Sequence, residues 1–96
     1  RHGFAFCMGT NNGKNLNGGE LYTDLLEESL SDLGPVIRDL YGFRAASDGN
    51  VSRFMAEKSG ICAIQLEIAR SYRMDEEKMF AFLDAMEAYI RKIKRL

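Results

Sequence analysis

The chain has 96 residues, 46% hydrophobic and 28% charged, the balance of an ordinary globular domain and not of a disordered segment. With 13 basic against 14 acidic side chains, its net charge of -1 gives no overall attraction to nucleic acid. No apolar stretch is long enough to span a bilayer and no secretory leader pattern opens the sequence, so a cytoplasmic protein without membrane or nucleic-acid partners is expected.

The first residue is Arg1 and not methionine, and a strand-like run starts three residues later, as in a trimmed chain or a piece of a larger domain. Phe4, Ala5, Phe6, Cys7 and Met8 form a continuous apolar run, short enough for a strand buried on both faces. Residues 9–19 are rich in glycine and asparagine and read as a loop. From Glu20 the period becomes helical: Leu21, Leu25, Leu26, Leu30 and Leu33 share one side, with Asp24, Glu27, Glu28 and Asp32 largely on the other. Gly34 and Pro35 end this helix, glycine supplying a left-handed cap and proline barring continuation.

Val36–Leu40 is a second, brief strand, and residues 41–50 a loop containing Gly42, Asp48, Gly49 and Asn50. A short helix is expected from Val51 to Lys58, closed by Gly60, followed by the clearest strand, Ile61–Ile68. Asp75 is suited to cap the last helix, with Glu76 and Glu77 in the first turn where the helix dipole favours acids. Met79, Leu83, Met86, Ile90 and Ile93 form its apolar stripe, widened by Phe82 and Tyr89. Cys7 and Cys62 lie in apolar runs and not in a CxxC pair, which favours two reduced core thiols over a disulfide.

The order β-α-β-α-β-α over residues 1–96 implies a single α/β unit: a mainly parallel sheet of about three strands with flanking helices. In the third strand Cys62, Ile64, Leu66 and Ile68 share one face. The opposite face runs Ile61, Ala63, Gln65, Glu67 and turns polar toward its carboxyl end, where open α/β sheets collect ligands. Glu67 is therefore a candidate general acid/base, against the alternative of a carboxylate paired with an arginine on an edge strand. If the first and third strands run parallel, the 9–19 loop lies beside Glu67.

Gly9-Thr-Asn-Asn-Gly-Lys14 lacks the Walker spacing, since three residues separate the glycines and Asn15 follows the lysine. It remains either a polar loop offering backbone donors to a ligand or simple turn chemistry. Arg53 falls in the first turn of the short helix, where the dipole disfavours a cation, and could hold a carboxylate or point into water. Arg70 and Arg73 follow the third strand and could bind an anion or pair with Glu67 or Asp75. A lone His2 without matched partners is assigned no metal role.

Val51-Ser-Arg-Phe54, Gly60-Ile61, Ala63-Ile-Gln-Leu-Glu-Ile-Ala-Arg-Ser-Tyr-Arg73 and Met74-Asp75-Glu76 resemble the C-terminal part of the N-formylglutamate amidohydrolase family, and Met8–Leu16 resembles a glycine-containing segment after one of its central strands. The resemblance spans essentially the whole chain, and Gln65–Tyr72 is its most specific part. It implies part of a larger phosphorylase/hydrolase-like domain with a zinc carboxypeptidase-like fold, acting on the amide bond of a small acylated amino acid. Glu67 would then be the general base/acid, Arg53 and Arg70 would anchor the substrate carboxylate, and Thr10 and Asn12 would line the cavity. The family's zinc ligands would lie upstream of Arg1, so this chain alone is expected to bind no zinc and to be inactive. The alternative is a non-catalytic α/β module that pairs with another chain, a homo-oligomer included.

Overall fold

The computed structural model describes residues 3–96, so His2 and Arg1 lie outside the described residues. Strand β1 (Phe6–Gly9) is followed by a 3-10 turn at Lys14–Leu16, helix α1 (Glu20–Ser31) and strand β2 (Val36–Arg38). Helix α2 (Val51–Ser59), strand β3 (Gln65–Ile68), the single-turn helix α3 (Arg70–Arg73) and helix α4 (Glu76–Ile93) complete the order. The protein is α/β with a three-stranded sheet, and the strands lie in the order β2-β1-β3.

The sheet is mixed. β1 pairs parallel to β2 but antiparallel to β3, with Phe6 opposite Ile68, Cys7 opposite Glu67, Met8 opposite Leu66 and Gly9 opposite Gln65. The expected mainly parallel sheet is thus corrected, and so is its consequence. Helix α2, between β2 and β3, packs against the Lys14–Leu16 turn beyond the carboxyl end of β1, so the chain enters β3 from that end and runs back antiparallel to β1. The carboxyl end of β3 meets the amino end of β1, so the 9–19 loop leaves the sheet at the Gln65 end and not beside Glu67.

One sheet face is closed by α1 and α4. Phe6, Met8 and Leu30 are fully buried there with Leu26, Phe82 and Tyr89, and Ile64, Leu66 and Ile68 pack against them. Each such side chain contributes about 1.5–3 kcal/mol by leaving water. The Phe6 ring stacks on Phe82 at 5.6 Å between centroids and meets the edge of Tyr72, also at 5.6 Å. Tyr89 Oη donates to the Tyr22 carbonyl at 3.0 Å, tying the end of α4 to the start of α1.

α4 is rolled relative to the expected stripe. Phe82 and Tyr89 point inward, flanked by Met79, Met86 and Ile93, while Leu83 (56%) and Ile90 (44%) are left exposed. Leu21 of α1 is likewise exposed. A single sheet offers each helix one contact line, so the widest part of an apolar stripe stays outside. The extents of 37 × 35 × 16 Å describe a slab with one helical layer.

Gly34 does not cap α1, which already ends at Ser31. It is glycine because a Cβ there would meet Tyr72 Oη at 2.5 Å and Ala5 Cβ at 2.7 Å. Gly60 does adopt the left-handed conformation, with φ 68, and its N–H donates to Ala56 to close α2. At the other end of α2, Asn50 accepts from the Arg53 N–H, and Asp75 caps α4 in the same way through Lys78 N–H.

The second sheet face, carrying Cys7, Gly9, Gln65 and Glu67, is crossed by the 39–50 loop. A Cβ on Gly9 would lie 2.5 Å from the Phe43 carbonyl oxygen and 3.2 Å from Ala45 Cβ. Gly9→Ala is therefore expected to destabilise the fold by roughly 1–3 kcal/mol through overpacking. The check is a lowered urea midpoint at unchanged m-value.

Candidate functional site

The asparagine-rich loop is a clamp for the loop it faces. Thr10 N–H and Thr10 Oγ1 each donate to the Asp39 carboxylate at 2.7 Å, and Thr10 Oγ1 accepts from Gly13 N–H at 2.9 Å. Asn11 N–H donates to the Arg44 carbonyl at 2.6 Å, and Asn15 Nδ2 to the Ala45 carbonyl at 3.1 Å. Asn17 Nδ2 reaches the Ala56 and Ile61 carbonyls at 3.0 and 2.7 Å, fastening the end of α2. Turn chemistry accounts for this segment: Asn11, Asn12 and Asn17 all have positive φ, which asparagine tolerates better than most residues.

Glu67 lies in an open groove of about 240 Å³ between the two loops' far side and α3, beside Phe4, Phe43, Arg70 and Arg73. It sits on an edge strand, yet among the described residues its carboxylate makes no hydrogen bond or ion pair. Arg73 Nε donates to the Ile68 carbonyl at 2.9 Å, which fixes that arginine at the groove's edge. The α3 turn, which the sequence left as a plain connection, is what brings Arg70 and Arg73 back toward Glu67. One acid and two bases give the groove a net positive character suited to an anionic ligand.

Of the other polar residues singled out in the sequence, Arg70 and Arg73 share this groove with Glu67. Arg53 is held elsewhere: its Nε meets Glu57 at 2.9 Å, and its Nη1 meets the Ala46 carbonyl at 2.6 Å and Asp48 at 3.1 Å. These carboxylates, Glu57 first, keep its guanidinium charged and occupied. Thr10 is buried and committed to Asp39, and Asn12 is exposed and lines neither the Glu67 groove nor the cleft beyond Phe43.

A second cleft, missed in the sequence, opens on the same sheet face beyond Phe43. It is lined by Tyr41, Arg44, Ser47, Asn50 and Gln65, and its volume is about 370 Å³. Asn50 Nδ2 donates to Gln65 Oε1 at 2.8 Å across it. The available signal was the alternation itself, since Gln65 shares the face of Glu67 two residues earlier.

Cys7 and Cys62 are free thiols, Cys7 fully buried. Burial pushes the Cys7 thiol pKa up, and the Asp39 and Glu67 carboxylates push the same way, while backbone donors near Leu40 oppose them. No three His, Cys, Asp or Glu side chains converge into a metal site among the described residues, so these residues do not by themselves fit the zinc that the resemblance implies. No family model, curated protein or solved structure matches the chain.

The raised Cys7 value sets a pH dependence. The thiol's contribution to stability is whole below its ordinary value of 9.0 and is lost as pH rises through the higher folded value. The urea midpoint is expected to fall as pH rises above 9.0 toward the folded value, and Cys7→Ala to fall less steeply than the natural chain over the same titration.

Proposed function

We propose that the chain is part of an amidohydrolase resembling the N-formylglutamate amidohydrolase family, acting on a small acylated amino acid, with Glu67 as its general base and acid. The observation that supports this reading most is the Glu67 carboxylate, unpaired among the described residues, in a groove with two arginines. A carboxylate so placed can take a proton from water as the water oxygen attacks the amide carbon. When the C–N bond breaks it can return that proton to the leaving nitrogen, giving a carboxylic acid and an amine. Arg70, which lines the same groove, would hold the substrate's carboxylate during this exchange by a charge-assisted fork. Zinc, if the natural protein uses it, would be held by residues beyond those described, and no step above is drawn through it.

An assembly module is the second reading, and a separate observation favours it. Val51 (74%), Phe54 (55%) and Met55 (38%) leave one side of α2 apolar and exposed. Sedimentation of the natural gene product separates the two, since an assembly role requires a stable complex and hydrolysis does not.

Glu67→Gln in the natural gene product is expected to lower kcat for amide hydrolysis by about 10²–10⁴-fold while KM changes little. An unchanged kcat would remove Glu67 from the chemistry.

A further inference from the structure

The Tyr41–Gln65 cleft presents a cation and carboxamide donors, together with hydroxyls that can donate. Arg44 makes no ion pair among the described residues, and its guanidinium rests over the Tyr41 ring, 5.1 Å from the centroid. The Gln65 carboxamide uses its oxygen to accept from Asn50, which leaves its NH₂ donors turned free among the described residues. Asn50 in turn uses its oxygen to accept from the Arg53 N–H. Ser47 adds a hydroxyl, and no acidic side chain lines the cleft.

The remaining wall is apolar or aromatic: Tyr41, Ala45 and Ala46. The volume of about 370 Å³ lies within the range of small-molecule sites. The backbone under Arg44 is rigidly held, because the Asn11 N–H and Asn15 Nδ2 fix the Arg44 and Ala45 carbonyls from below. Ala45 is kept buried at φ 59, a conformation that L-residues rarely adopt. A cation on a fixed backbone, amide and hydroxyl donors lining the same cleft and an apolar wall suit a small oxyanion carrying an organic part.

We propose that this cleft is a binding site for a small organic carboxylate, with Arg44 and the Gln65 amide gripping its oxygens and Tyr41 covering its apolar part. One negative charge matches the single cation, and the arginine fork matches a carboxylate in geometry. The site is distinct from the Glu67 groove, although both open on one sheet face. Gln65 and Glu67 are two residues apart, about 7 Å along the strand. The proposal concerns binding alone and stands whether or not Glu67 is catalytic.

Calorimetric titration of the natural protein with butyrate, a carboxylate with no amide to hydrolyse, and separately with inorganic phosphate, tests it. Saturable binding of butyrate is expected, weakened about tenfold or more by Arg44→Gln. Gln65→Glu keeps an acceptor for Asn50 but adds a negative charge, and is expected to weaken binding at least as much, so the test survives if one variant fails to fold. Arg91→Gln, on the exposed side of α4, should change affinity by less than about threefold. Three outcomes overturn the proposal: no saturable binding, binding left unchanged by Arg44→Gln, or phosphate binding as tightly as butyrate.

Discussion

The antiparallel pairing of β3 along the open edge of β1 is the constraint on which the arrangement of this protein depends. Its register puts Cys7 opposite Glu67 and Gly9 opposite Gln65. Because side chains alternate along a strand, that choice sends Phe6, Met8, Leu66 and Ile68 to the helical core and leaves the polar pair on the other face. A slip of one residue would bury Glu67 among the rings of Phe6, Tyr72 and Phe82, where an unpaired carboxylate is prohibitively costly. The greasy half of β3 thus enforces the exposure of its acidic half.

The second face depends on contact between two loops with little regular structure. Gly9 lets the backbone at Phe43–Ala45 come down onto the sheet, and the asparagine-rich loop then holds it by its carbonyls. Ala45 at positive φ costs about 1–2 kcal/mol, which the buried hydrogen bond from Asn15 and the packing against Gly9 offset. Asp39, also at positive φ, receives two donors from Thr10. Local strain and local satisfaction occur at the same few residues, and from this loop Phe43 lines the Glu67 groove while its neighbours Gly42 and Arg44 line the second cleft.

Much of the architecture was legible in the residues, for reasons that are local. The period change at Glu20, the asparagine before Val51, the glycine after Ser59 and the aspartate before Glu76 each act within a few residues, and they mark α1, α2 and α4 closely. The alternation expected over Ile61–Ile68 carried over in part: only Gln65–Ile68 pairs as a strand, with Leu66 and Ile68 and the preceding Ile64 against the core. Strand direction was not legible, because an apolar run fits a parallel or an antiparallel neighbour equally well. The error moved the asparagine-rich loop to the wrong end of Glu67. The two carboxamides of Asn50 and Gln65 escaped notice for a similar reason: they lie 15 residues apart, and only the tertiary fold makes them partners. Arg53 shows the opposite case, a cation at an unfavourable helix end whose charge is answered by Asp48 and Glu57 close by in the chain.

The hold that Asn17 keeps on the end of α2 has a mechanical corollary. That helix leans chiefly on the Lys14–Leu16 turn and contributes little to the aromatic core, with only Ala56 buried along its length. A single carboxamide bridging two carbonyls therefore acts as the latch of a small door, and Asn50, at the opposite end of the same helix, rides on it. Swinging that door would withdraw Asn50 from Gln65 and reshape the mouth over the sheet while Phe6, Leu30 and Phe82 stay packed. The mouth is thus held by a few hydrogen bonds, and the layer beneath it by side-chain packing.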